Sequence, residues 1–115
     1  MPDRIRLAWS AVLRRAPLLF DFAPRFLEWV DHARHLAPKS RRYYRVGWNR
    51  IRSTPLMGMN LDRITTEALD SLSLVGSPSY VNQAIRTLRR LLGKAVEWKV
   101  IAVAPAVKLM KGSGP

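Results

Sequence analysis

At 115 residues and 48% hydrophobic composition, the chain has the length of one domain able to bury a core. It contains no cysteine, which excludes disulfides and thiolate metal sites, and no run near the ~20 apolar residues that a membrane-spanning helix needs. Twenty Lys and Arg against eight Asp and Glu give a net charge of +12 and a pI near 11.4, a balance that favours a polyanionic partner, nucleic acid before acidic membrane or protein.

The first 20 residues can be drawn as a basic helix, with Ile5, Trp9, Val12, Leu13 and Ala16 roughly on one side and Pro17 ending it. Basic residues interrupt its apolar stretch, which makes a poor secretory signal, so a cytoplasmic chain is expected. Residues 1–20 are read as a basic N-terminal extension, helical or flexible.

From Asp21, a candidate cap, Phe22, Phe26, Trp29, Val30, Ala33 and Leu36 recur at helical spacing. Arg25, Glu28, Asp31 and Arg34 form a mixed-sign face expected to meet solvent. His32 and His35 lie three apart, but the chain holds no other His and no Cys, so no metal site is expected.

Pro38 is expected to end that helix and Ser40 to cap a second, about residues 41–52. Tyr44, Trp48 and Ile51 make its apolar face, with Gly47 beside them for close packing. Lys39, Arg41, Arg42, Arg45, Arg50 and Arg52 surround that face with no acidic residue among them. Solvated helices usually mix signs to gain pairs one turn apart, so this run calls for an anion from outside the domain. Residues 53–59, with Pro55 and Gly58, read as a loop anchored by Leu61 and Ile64. A short helix from Thr65 or Thr66 follows; residues 61–75 are net acidic and are expected to face away from a polyanion.

Residues 77–99 predict the longest helix. Ser77 is a good cap and Pro78 suits the first position. Val81, Ile85, Leu88, Leu92, Ala95 and Val96, widened by Ala84 and Leu91, form a buried stripe. Tyr80, Asn82, Gln83, Arg86, Thr87, Arg89, Arg90 and Lys94 are set opposite. Gly93 costs such a helix about 1 kcal/mol against Ala, and a tight helix contact is expected to compensate. Residues 109–115 read as a flexible linker, after which a further domain is expected.

Taken in order, these pieces resemble the core-binding domain of tyrosine recombinases, the phage-integrase group, over residues 20–108. The likeness rests on the aromatic first helix, Ser40-x-x-x-Tyr44, and Gly58-x-x-Leu61-x-x-Ile64-Thr65. It continues in the fourth helix as Val81-Asn82-x-x-Ile85-x-x-Leu88-Arg89-x-x-Leu92-x-x-Ala95-x-x-Trp98. Lys99-Val100 departs from it, standing where such domains often have Gly, and Ala104 precedes Pro105 where Asn is usual.

The resemblance implies an all-α, compact four-helix SAM-like bundle spanning residues 21–108. Its second and fourth helices would clamp double-stranded DNA during integration or recombination, in a chain of bacterial, phage or mobile-element origin. Lys39, Arg41, Arg42, Arg45 and Arg90 are then expected on phosphates, which fix register without reading sequence. Asn82, Gln83 and Arg86 are the candidates for base edges, with Tyr80 reaching a phosphate or a thymine methyl. Ser40, Arg89 and Lys94 complete the expected DNA-contacting set. No cofactor is implied.

Family members cut DNA with a Tyr, Arg, Lys and His set in a separate C-terminal domain, and this chain has no His-x-x-Arg motif. It is therefore expected not to be an enzyme, and to be a monomer in isolation that works with a catalytic domain and other protomers on DNA. The competing reading is a helical interaction module acting as accessory or antagonist of a recombinase. Membrane association through residues 1–20 is a lesser alternative.

Overall fold

The computed structural model describes residues 16–71 and 76–109. They form four α-helices: α1 (Leu19–His32), α2 (Pro38–Ile51), α3 (Thr66–Ser71) and α4 (Pro78–Glu97). Two 3₁₀ turns, Pro55–Gly58 and Leu61–Arg63, lie between α2 and α3. No strand occurs among the described residues, so the all-α expectation holds. Residues 1–15 and 110–115, which carry most of the basic extension and of the linker reading, lie outside the described residues.

Two helix starts differ from expectation, for different reasons. Asp21 is not the cap of α1; it lies in the first turn of a helix that begins two residues earlier with Leu18 at the cap position. Tertiary pairing does the capping residue's work there. Leu18 bridges to Asn60, the Leu19 N–H donates to the Met59 carbonyl at 2.9 Å, and the Leu61 N–H to Pro17 at 3.0 Å. With Leu19 fully buried, residues 16–20 belong to the packed domain rather than to a separate extension. In α2, Pro38 opens the helix instead of ending its predecessor, because its fixed φ suits the first position. Ser40 accordingly sits inside the first turn and caps nothing.

The other two starts follow the sequence. Ser77 Oγ accepts the Tyr80 N–H at 3.2 Å at the head of α4, and Thr65 Oγ1 accepts the Ala68 N–H at 3.2 Å at the head of α3.

The core is one cluster. Phe22, Phe26 and Val30 of α1 meet Trp48 and Ile51 of α2, while Leu56, Leu61 and Ile64 pin the connecting turns. The α4 stripe of Val81, Ala84, Ile85, Leu88, Leu91, Leu92 and Ala95 fills the centre, and Tyr44 packs half-buried against it, its ring 6.3 Å from that of Phe26.

The closest helix approach is α2 on α4. A Cβ at Gly47 would stand 1.9 Å from Thr87 Oγ1 and 3.0 Å from the Gln83 carbonyl oxygen, so only a glycine allows it. Thr87 is consequently fully buried, not on the polar face, and its hydroxyl donates back to Gln83 at 2.9 Å. The contact expected at Gly93 is absent: that residue is exposed and nothing lies within 4 Å of where its Cβ would be.

α4 ends in a Schellman turn. The Val100 N–H reaches the Ala95 carbonyl at 2.8 Å and the Lys99 N–H reaches Val96 at 3.0 Å, with Lys99 at φ +60°. The departure from Gly noted at Lys99 thus leaves the left-handed turn in place and loads it with a side chain. Beyond it, Thr66 Oγ1 donates to the Ala106 carbonyl at 3.1 Å and accepts the Lys108 N–H at 3.0 Å, sewing the C-terminal segment to α3.

In chemical denaturation, Gly47→Ala should cost about 1–3 kcal/mol by overpacking the crossing. Lys99→Gly should stabilise by about 1 kcal/mol by relieving the left-handed residue. A Gly47→Ala protein as stable as the parent would mean that α2 and α4 can part without loss.

Candidate nucleic-acid interface

α4 crosses α2 so that its first two turns and Tyr43 enclose an open groove of about 610 Å³. Ser77, Pro78, Ser79, Asn82, Gln83, Arg86 and Tyr43 line it. The three residues singled out for base edges, Asn82, Gln83 and Arg86, are therefore brought together on one concave surface. Gln83 is already oriented: its Nε2 donates to the Tyr43 carbonyl at 3.0 Å, which ties the groove side of α4 to α2. Arg86 is exposed and has no hydrogen bond or ion pair among the described residues.

The α2 cations divide into two groups. Arg41 reaches across to the end of α1, where its Nη2 donates to the Ala33 carbonyl at 2.6 Å while its Nε is buried without a partner. Arg45 grips Asp31 of α1 with both arms of its fork, Nε to Oδ1 at 3.0 Å and Nη2 to Oδ2. These two of the six like charges are thus neutralised or engaged within the domain, by an element that sequence spacing did not connect to them. Lys39 and Arg42 are exposed and make no such bond. Helix geometry sets Lys39 one turn before Tyr43, and Arg42 is Tyr43's neighbour in sequence. Ser40 is half-buried in the same first turn.

On α4 the polar face is narrower than the sequence suggests. Lys94 is only 8% exposed. Its Nζ sits 4.1 Å from the Trp29 ring centre and 5.8 Å from that of Trp98, and donates to Glu97 Oε2 at 2.8 Å. That bond holds the Glu97 carboxyl below its usual range. Arg90 is exposed, with its guanidinium 5.2 Å from the centre of the same Trp29 ring. Arg89 is exposed and lines a second, smaller recess of about 320 Å³ with Leu92 and residues 104–108.

The mixed-sign face of α1 is not simply solvated. Asp31 holds Arg45, and Arg25 lies 4.7 Å from the Trp98 ring. His32 Nδ1 is 2.9 Å from the Glu28 carbonyl oxygen and His35 packs on Trp29. Among the described residues no three His, Asp or Glu side chains gather as a metal site would need. No helix there is long and apolar enough to cross a membrane.

Two residues take positions that the sequence reading did not assign to them. Tyr43 forms the wall opposite α4, a placement that depends on the crossing at Gly47 and carries no local signal. Arg50 turns out to cover Tyr80, with its guanidinium 3.8 Å from the ring centre. Among the described residues, the only carboxylates that pair with cations of α2 and α4 are Asp31 and Glu97.

The Arg45 hydrogen bond, more than its charge, holds the Asp31 carboxyl below its ordinary value of 3.8. The pair's contribution is therefore present at neutral pH and is lost as pH falls through that lowered value. With both side chains more than two-fifths exposed, screening keeps the contribution small. A carboxylate NMR titration of Arg45→Ala should show the Asp31 midpoint rising toward its ordinary value, whereas an unmoved midpoint would remove the pair from solution. Compared with protein-family models, curated proteins and solved structures, the chain finds no match in any of the three.

Proposed function

We propose that this chain is a duplex-DNA-binding domain of the tyrosine-recombinase core-binding type, a SAM-like bundle that clamps DNA through α2 and α4. Cutting and rejoining would belong to a catalytic domain outside these residues. The observation that carries the reading is charge left without an internal partner beside a groove able to admit base edges. Lys39 and Arg42 of α2 and Arg86 and Arg89 of α4 are exposed and unpaired among the described residues, and Arg86 lines the groove with Asn82 and Gln83. Four like charges held on two packed helices repel one another, and phosphates relieve that repulsion with release of condensed counterions.

The contacts divide by chemistry. Lys39, Arg42 and Arg89 neutralise phosphates, Arg90 joining them from the Trp29 ring. Arg86 reads guanine in the major groove, where a guanidinium meets O6 and N7 together. Gln83, with one amide proton committed to Tyr43, offers its oxygen and remaining proton in a fixed orientation. Arg41, Arg45 and Lys94 serve the domain's own packing, so fewer phosphates are neutralised than a count of α2 and α4 cations implies.

In fluorescence anisotropy with a random 30-base-pair duplex, four to five neutralised phosphates give log K against log salt a slope of about −3.6 to −4.5. The triple variant Lys39→Ala, Arg42→Ala, Arg89→Ala should flatten that slope by about 2.7. Asp31→Asn, which frees Arg45, should steepen it by up to about one unit. The competing reading, an interaction module acting on a recombinase, draws on the same surface. It is favoured by an absence of duplex binding even at low salt.

A further inference from the structure

The first turn of α4 has little to hold it. Ser77, Ser79 and Tyr80 are exposed, and the first buried residue of the helix is Val81. The close crossing with α2 lies at Thr87, about 10 Å further along the helix at 1.5 Å per residue. Helix starts that project beyond their packing fray, because their leading N–H groups lack intrahelical partners. Yet this turn supplies Ser77, Pro78, Ser79 and, one step on, Asn82 to the groove.

Arg50, in the last turn of α2, meets Tyr80 twice. Its guanidinium lies over the ring, 3.8 Å from the centre, and its Nη1 donates to the Tyr80 carbonyl oxygen at 3.0 Å. From the other direction, Ser77 Oγ accepts the Tyr80 N–H at 3.2 Å. Gly76, at φ +142°, passes so close that a Cβ there would stand 2.7 Å from Tyr80 Cδ1. One residue is thus gripped at its N–H, its carbonyl and its ring, and its ring contact joins the end of α2 to the start of α4. The guanidinium also sits where α2 presents its carbonyl end, which favours a cation.

We propose that Arg50 and Tyr80 form a latch that positions the reading edge of the groove, Arg50 acting as a positioning residue and not as a phosphate contact. The proposal rests on the DNA-binding reading for its consequence, since fixing the first turn of α4 fixes where Ser79 and Asn82 meet a base edge. The latch itself is a property of the free domain. Tyr80, expected to reach DNA, instead spends its ring face on Arg50 and keeps only its 40% exposed remainder for a ligand.

The test separates the two. Amide hydrogen exchange on the full chain reads the latch without DNA: Arg50→Met should speed exchange at Tyr80 and Val81 about fivefold to tenfold while Leu88 and Leu91 stay unchanged. Tyr80→Leu should do the same, and Arg50→Lys, which restores a cation over the ring, should recover most of the protection. With duplex, Arg50→Met should weaken a preferred sequence more than random DNA, and leave the salt slope within about half a unit of the parent. A slope flattened by about one unit with unaltered exchange would make Arg50 a phosphate contact and overturn the latch. A parent protein that binds no duplex would sink the DNA reading while the exchange result still decides the latch.

Discussion

The approach of α2 to α4 at Gly47 is the constraint on which the rest depends. Thr87 Oγ1 occupies space that any Cβ at position 47 would claim, so the two helices come together more closely than side chains ordinarily permit. That approach lets Gln83 reach the Tyr43 carbonyl and lets Arg50 reach Tyr80. Of these two bonds, the first joins two residues that line the groove, and the second holds Tyr80, which lies in sequence between the lining residues Ser79 and Asn82. A larger residue at 47 would separate the helices and break both. The cost of the crossing is a buried threonine, and its hydroxyl is satisfied within α4 by the Gln83 carbonyl, so no polar group is stranded.

A chain of net charge +12 must place its cations so that folding is not undone by their repulsion. The domain does this with few carboxylates. Arg41 directs its Nη2 to the carbonyl of Ala33 at the end of α1, where the helix dipole is negative. Arg25, Arg90 and Lys94 lie over the faces of Trp29 and Trp98, whose electron-rich surfaces attract cations. Among the described residues, only Arg45 and Lys94 use acids, Asp31 and Glu97. Cations settled this way are tied to fixed positions on the packed helices. Of those left over on α2 and α4, Arg86 lines the groove with Tyr43, and Arg89 lines the smaller recess beside the C-terminal segment.

Much of this architecture is legible in the sequence, and the parts that are not have a common cause. Ser77-Pro78 announces the start of α4, and the stripe from Val81 to Ala95 announces its buried side, because both signals are local to one helix. Gly47 as a packing glycine is legible for the same reason. Asp21 and Ser40 mislead because tertiary pairing at Leu18 and the preference of Pro38 for a first helical position outrank a side-chain cap. Gly93 misleads because a glycine in a helix has more than one reason to be there, and spacing alone does not say which face it is on. Thr87 and Lys94 fall at the margins of the polar arc, where a neighbouring element decides burial. The groove is half legible: Asn82, Gln83 and Arg86 share a helix face, while Tyr43 and Arg50 join them only through the crossing.

The pairing of Lys94 with Trp29 shows why one helix can serve both core and surface. A helix of 20 residues rotates its polar arc past several neighbours, and what that arc does depends on which neighbour it meets. Over its first half, α4 faces α2 across the Gly47 contact, and its polar residues border an open groove. Over its second half it faces α1, where Trp29, together with Trp98 at the end of α4 itself, covers Lys94 and withdraws it from water. The aliphatic stem of Lys94 packs as a hydrophobic side chain would, and its ammonium keeps a carboxylate and two ring faces. The basic arc of α4 is thereby divided into a half that binds the domain to itself and a half that stays exposed. The division falls near Arg89 and Arg90, the first exposed toward the C-terminal segment and the second already leaning on Trp29.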